Sequence, residues 1–240
     1  MKNVIDALVR ELGPELITTV VVGFVISGLV FIVNYLPFVG KYYKSAYRQE
    51  SAVGLLMFLF DRGYTGEGLT FMELEKLPYY GKILTNLYIP TEEGTTEIDL
   101  IYLCPFGIYV LESKNYSGWI FGNEDAKTWT SVLYKRKNKF ANPIWQNQRH
   151  KKYLARILKN VELKSIIVFS ERCELKKLTL NNAVVIKRND LRKTLMNDAN
   201  RMIYSNDQIA RFYSLLKRYT NKSNKDKQLH IDRIPKTLAK

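Results

Sequence analysis

Between Glu15 and Lys41 the chain carries no charged side chain. Residues 16–33 (LITTVVVGFVISGLVFIV) are almost wholly apolar or small, and the run continues through Tyr35, Leu36 and Phe38. Such a stretch is long enough to cross a hydrocarbon core of ~30 Å, so a transmembrane helix is expected over residues 16–38. A buried helix of a soluble domain is the weaker reading at this length. A cleaved signal peptide also fits less well, because Asp6, Glu11 and Glu15 stand against Lys2 and Arg10 before the run and no small-x-small site follows it. Lys41, Lys44 and Arg48 flank the C-terminal side. The positive-inside bias therefore puts a short extracytoplasmic N-terminus at 1–15 and everything after the span in the cytoplasm, on a single-pass protein of the cell (inner) membrane.

Beyond the span the apolar pattern changes period. Residues 39–60 are expected to be a juxtamembrane linker and helix: 41–50 (KYYKSAYRQE) is aromatic and basic, and 52–60 (AVGLLMFLF) is too short to cross a bilayer. Leu69, Met72, Leu74 and Leu77 predict a helix from about Glu67 to Leu77. Strands are predicted at 82–89, 97–103 and 108–114, and a second hairpin at Gly118–Phe121 and Thr128–Tyr134. Asn142 as N-cap and Pro143 at the first helical position open a helix to about Leu158, with Leu154, Ile157 and Leu158 inward. Strands near 164–169 and 183–187 precede helices near 189–198 and 206–219. This is an α/β domain over 61–220, followed by a loose basic tail at 221–240.

The formal net charge of +14 favours polyanionic partners, either nucleic acid or an anionic membrane face. Two cysteines, Cys104 and Cys173, with no CxxC pattern, read as reduced packing residues in a cytosolic setting. Two histidines are too few for a His-based metal site, although His150 is available near a substrate.

The densest chemistry lies in the first hairpin. Cys104-Pro105-Phe106-Gly107 has type I turn residues, Pro second and Gly fourth. A two-residue loop of Pro105 and Phe106 pairs Asp99 with Glu112 and Glu97 with Lys114. Glu112 and Lys114 share a face by alternation. Two carboxylates and a lysine then converge, an arrangement that suits Mg²⁺ with retained waters and a lysine that orients or deprotonates an attacking water. The alternative is a cross-strand salt bridge on a solvated face.

Asp99 followed by Glu112-Ser113-Lys114 on adjacent strands resembles the D…ExK signature of the restriction-endonuclease-like, or PD-(D/E)xK, nucleases, and within them the NERD (nuclease-related) domain. The supporting motifs run in order. Gly63-Tyr64-Thr65-Gly66-Glu67 resembles the family's G-x-x-G-E opening, and Thr96-Glu97-Ile98-Asp99 its T-E-I-D strand. Gly107 to Gly118 (GIYVLESKNYSG) resembles the segment that bears E-x-K, and Trp129 stands where a strand tryptophan is usual. Asn142-Pro143-Ile144-Trp145-Gln146 resembles the N-P-x-x-Q helix start, and Ile166 to Ser170 the following buried strand. Leu100 departs from the histidine frequent after the aspartate.

The resemblance covers roughly residues 60–170 and implies a restriction-endonuclease-like core, a mixed sheet flanked by helices in α-β-β-β-α-β order. It implies Asp99 and Glu112 as metal ligands, the Ser113 carbonyl as a third oxygen, and Glu67 acting through water or a second ion. Lys114 would serve the nucleophilic water, and Gln146 would hold that water or a phosphate oxygen or make only a structural contact. The implied cofactor is Mg²⁺, with Mn²⁺ as substitute, and the implied substrate is nucleic acid, DNA by resemblance alone. Lys135, Arg136, Lys137 and Lys139, then Arg149, Lys151 and Lys152, offer phosphate contacts. Tyr134, Phe140, Trp145 and Tyr153 are interleaved with them as stacking surfaces. The rival readings are a silent nucleic-acid or partner-binding module at the membrane, and a structural protein whose basic face meets lipid.

Overall fold

The computed structural model describes residues 2–220, with side chains from Glu15 onward; the tail expected over 221–240 lies outside the described residues. Two units divide between Lys44 and Ser45. The first is one helix, α1 (Lys2–Lys44), broken at Gly13, whose φ of 68° and ψ of 153° are not helical. Pro14 accounts for the break, since its ring disfavours a helical residue before it yet suits the first turn of a new helix. Glu15–Lys44 is a helix of 30 residues, about 45 Å long at 1.5 Å per residue. It is long and apolar enough to cross a bilayer, and it continues past residue 38 to end on Lys41 and Lys44.

The second unit opens with three helices, α2 (Tyr47–Ser51), α3 (Leu55–Phe60) and α4 (Arg62–Leu74), followed by β1 (Lys82–Thr91), β2 (Gly94–Cys104) and β3 (Gly107–Lys114). Then come β4 (Gly118–Asn123), β5 (Thr128–Leu133) and β6 (Arg136–Ala141), helix α5 (Pro143–Ile157), and β7 (Leu163–Phe169), β8 (Cys173–Thr179) and β9 (Val184–Lys187). Helices α6 (Leu191–Met196) and α7 (Asn206–Lys217) close the described chain. The main sheet has the order β1-β2-β3-β7-β9, with β1–β3 an antiparallel meander and β7 and β9 parallel to β3. The second sheet has the order β6-β5-β4-β8; β4–β6 lie between β3 and α5 in the chain, and β8 joins them after β7. The expected α-β-β-β-α-β order is therefore present as α4-β1-β2-β3-α5-β7, with β4–β6 inserted.

Three apolar groups hold these layers together. Leu84, Ile101, Val110 and Leu154, with Ile209 and Leu216 of α7, fill the space between the main sheet and α5 and α7. Trp129 stacks parallel to Phe169 at 6.1 Å between centroids, which ties the second sheet to β7. Tyr47 packs on Phe58 and Phe71, all fully buried, so α2, α3 and α4 form one apolar group. Strand β7 is buried over Ile166–Phe169 and reads as an unbroken apolar run, as a central parallel strand does. Cys104 and Cys173 are free and buried, and burial pushes their thiols up to about 12 and about 11. Both are packing residues.

Candidate active site

The β2–β3 hairpin has the register that its turn predicts: Cys104 pairs with Gly107, Ile101 with Val110 and Leu100 with Leu111. The ladder stops there. Beyond it the Asp99 carboxylate takes over, accepting the Ser113 backbone N–H at 2.8 Å. This side-chain bond draws Asp99 in beside the start of Glu112-Ser113-Lys114. Glu97 does not face Lys114. It pairs with Tyr88 of β1 and accepts that residue's hydroxyl proton at 2.7 Å, while Lys114 lies beside Phe169 of β7. The expected Glu97–Lys114 pairing fails because the antiparallel ladder gives way at Asp99.

Lys114 is the last residue of β3, so the site stands at the C-terminal end of the parallel pair β3–β7. Its Nζ lies 2.6 Å from Glu112 Oε1 and donates to Gln146 Oε1 at 3.0 Å. Glu112 is 1 % exposed. Its second oxygen faces His150 Nε2 at 3.2 Å, and His150 Nδ1 lies 2.9 Å from the Thr96 hydroxyl. Gln146 and His150 are four residues apart on α5, one helical turn, and both reach the same carboxylate–lysine pair. Asn142, buried, starts that helix by accepting Ile144 N–H, and its amide donates to the carbonyls of Glu124 and Ala126 in the β4–β5 loop. Asn147 fixes the helix to the sheet by donating to Val110 O and Ser165 Oγ, both at 2.8 Å.

Helix α4 brings Glu67 from the other side. It begins at Arg62, five residues before the expected start, because Asp61 caps it by accepting Tyr64 N–H. The glycines of that opening motif lie inside the helix and allow close approach. A Cβ on Gly66 would lie 2.7 Å from Asn115 Cβ, and Thr70, one turn on, meets Ser113 Oγ at 3.2 Å. Gly66→Ala should therefore push α4 off the end of β3. The expected cost is about 1–3 kcal/mol of stability, the usual penalty of overpacking, read as a lower Tm by calorimetry.

The charges are far from balanced. Burial, reinforced by Asp99, Glu97 and Glu112, raises the Glu67 carboxyl well above the ordinary range. Burial and Glu112 raise Asp99 as well, against the opposing Lys114 and Ser113 N–H. Burial also works against ionised Glu112, but Lys114 and His150 outweigh it and hold that carboxyl low. Burial opposes the Lys114 cation, and Glu112 and Asp99 more than offset this, so the ammonium is held charged. One lysine thus offsets Glu112 and Asp99, and Glu67 adds a third carboxyl that meets only like charge. Glu67 Oε2 and both Glu112 oxygens are buried without an aligned hydrogen bond.

Among the described residues, no three His, Cys, Asp or Glu side chains close into a metal cage. The donor set still fits Mg²⁺, which binds through one or two carboxylates and keeps several waters. Asp99 and Glu112 are such a pair, and the partnerless Glu67 oxygen supplies a third acceptor. The remaining candidates are more scattered. Lys135 is in the β5–β6 turn, and Arg136, Lys137 and Lys139 are exposed on β6, the edge of the second sheet. Arg149 and Lys152 are exposed on α5, whereas burial lowers the partly covered Lys151 amine. Trp145 donates its indole N–H to Glu124 O. Phe140 is buried against Tyr116, with ring centroids 4.4 Å apart, so it offers no stacking surface.

Sequence reasoning missed Thr96 as the partner of His150, and it missed Asn86. Asn86 falls between the pairs Thr85–Leu100 and Leu87–Ile98, level with Asp99. It is 4 % exposed, has φ of 51°, and its amide lacks a partner at both atoms. The signal available in the sequence was an asparagine inside a strand otherwise rich in β-formers.

The nuclease-related domain family (NERD) matches residues 62–170, the stretch from the start of α4 to the end of β7. An uncharacterized protein of Bacillus anthracis is 33% identical over 187 residues, 75% of this chain and 86% of that protein. No solved structure matches the chain. A site of this build at the end of β3, the ordered motifs around it and that relative's length of agreement lead to one conclusion: the chain belongs to the nuclease-related domain (NERD) family.

Proposed function

We propose that this protein is a membrane-anchored, Mg²⁺-dependent nuclease that hydrolyses phosphodiester bonds of nucleic acid, DNA first. The observation that carries the reading is the buried Glu112–Lys114 pair crowded by Asp99 and Glu67. Burying so much like charge costs stability, and folds retain such clusters where chemistry uses them.

Asp99, Glu112 and the Ser113 carbonyl are the residues to hold the ion, with Glu67 reaching it through water. When bound, the ion polarises the phosphoryl oxygen and acidifies an attached water. Lys114 stays an ammonium between Glu112 and Asp99, so its part is to orient the attacking water and stabilise phosphate charge rather than to take a proton. Gln146 accepts from Lys114, which leaves its amide N–H groups for that water or a phosphate oxygen. His150, anchored by Thr96, keeps one Glu112 oxygen turned away from Lys114. The exposed cations of β6 and α5 follow the phosphate backbone. Residues 16–38 supply the anchor, and Lys41, Lys44 and Arg48 put the domain on the cytoplasmic face of the cell membrane.

The test is the full chain in detergent micelles with labelled single- and double-stranded DNA and RNA, in Mg²⁺ or Mn²⁺ against EDTA. Metal-dependent cleavage of DNA is the expected result. Binding without cleavage, across every substrate and both metals, would replace the nuclease with a silent nucleic-acid tether.

A further inference from the structure

The β5–β6 hairpin turns in two residues, Tyr134 and Lys135, between the paired Leu133 and Arg136. Turns of this kind favour glycine or asparagine where φ is positive. Here the residue at φ of 55° is a tyrosine, 93 % exposed and without a ring contact among the described residues. An aromatic held in a disfavoured conformation, with its whole ring in solvent, returns nothing to the fold. Strain of this kind gathers where a side chain serves a ligand.

The surroundings name the ligand. Lys135, Arg136, Lys137 and Lys139 are exposed, and none forms an ion pair among the described residues. Trp119, half exposed, pairs with Val132 one residue before Leu133 and carries the Lys176 ammonium over its ring. Position matters as much as composition. Gly118 has φ of 82°, and a Cβ there would lie 2.2 Å from Val132 O, so the tip end of the hairpin is pressed onto the start of β4. Gly118 follows Lys114 by four residues, a reach of at most ~14 Å. The tip therefore projects from the same end of the second sheet as the candidate site. Leu133 is the exposed aliphatic at this tip, beside Tyr134 and Trp119; those four cations surround it, a balance that suits a phosphate backbone better than the interior of a lipid layer.

We propose that the β5–β6 tip is a base-stacking finger. The ring of Tyr134 takes an unpaired base, Lys135, Arg136 and Lys137 take the adjoining phosphates, and the substrate is consequently single-stranded or locally unpaired nucleic acid. Bases within a duplex are already stacked on both faces, so a lone projecting ring has no partner there until one is extruded. This inference rests on the nuclease reading only for what happens to the strand once bound.

The experiment is fluorescence anisotropy with the full chain in detergent and EDTA, using labelled oligothymidylate and a blunt duplex of equal length, for the unmutated protein, Tyr134→Gly and Tyr134→Trp. The unmutated chain should prefer the single strand. Tyr134→Gly should weaken that binding about tenfold, the loss of one base–aromatic stack, leave duplex binding unchanged, and raise Tm because glycine adopts the positive φ freely. Tyr134→Trp should keep the single-strand preference. Equal single-strand binding by Tyr134→Gly and the unmutated chain, an equal loss on both oligonucleotides, or no binding to either would overturn the finger. Cleavage is scored separately in Mg²⁺. A chain that cleaves with no dependence on Tyr134 removes the finger alone, and one that never cleaves yet binds through Tyr134 removes the nuclease alone.

Discussion

Lys114→Met should cut the rate of cleavage by about a thousandfold, the upper end of the roughly 10²–10³ lost when one preorganised donor to developing charge is removed. The same change should lower stability. Lys114 lies 2.6 Å from a glutamate that is 1 % exposed, and it also offsets Asp99. Breaking a buried pair from one side costs about 3–5 kcal/mol, or roughly 10 °C in Tm for a domain of this size. Glu112→Gln should abolish cleavage with a smaller loss of stability, because Lys114 keeps Gln146 and Asp99 as neighbours. The double variant Lys114→Met with Glu112→Gln should recover much of the lost Tm and none of the activity. That split separates the chemistry of the pair from its place in the core. Cleavage by Lys114→Met at more than a tenth of the unmutated rate would remove the lysine from the mechanism.

What could be read from the chain follows the range of the interactions involved. The hairpin of Glu97 to Lys114 is local. A proline and a glycine at set turn positions determine its register, and the meeting of Asp99 with Glu112-Ser113-Lys114 follows within a few residues. The N-cap of α5 is equally local, and Asn142 and Pro143 announce it. Strand β6 was not legible, because Arg136-Lys137-Asn138-Lys139 has no strand propensity of its own. Its conformation comes from pairing with β5 and from the burial of Phe140. Strand β8 was missed for a related reason: Cys173 to Thr179 alternates charges with half-buried leucines and gains its ladder only beside β4. In α4 the glycines that argue against a helix are there because Asn115 and Phe58 press on it, contacts that no window of sequence contains. Gln146 and His150 converge on Glu112 and Lys114 across more than thirty residues of chain. The resemblance pointed to Gln146; geometry alone brought Thr96 and Asn86 into view.

In EDTA the protein should lose stability as pH rises above the ordinary carboxylate range, the reverse of the usual acid limb. Burial raises both the Glu67 and the Asp99 carboxyls, with Asp99 adding to the rise at Glu67 and Glu112 to the rise at Asp99. In the unfolded chain they ionise near pH 4. Between that value and the raised folded one, the native state holds protons that the unfolded state has released, so stability falls with rising pH by up to about 1.4 kcal/mol per unit for each group. Glu112 works in the opposite sense, but its lowered carboxyl confines its contribution to acid below the ordinary glutamate range. Glu67→Gln should therefore raise Tm at pH 8 by several degrees, since about 1.4 kcal/mol is regained for each pH unit over which ionisation of that carboxyl opposes folding, and should flatten the pH dependence. Millimolar Mg²⁺ should raise Tm at pH 8 and do so less at pH 5, where protons compete for the same oxygens. At a hundredfold excess over Kd the gain is about 2.7 kcal/mol, and Asp99→Asn or Glu112→Gln should abolish it. Scanning calorimetry at pH 5, 6.5 and 8, with and without Mg²⁺, reads all of this. A Tm that is flat across the range in EDTA and indifferent to Glu67→Gln would mean that the carboxyls share no common charge field. A Mg²⁺ shift that survives both Asp99→Asn and Glu112→Gln would move the ion elsewhere on the molecule.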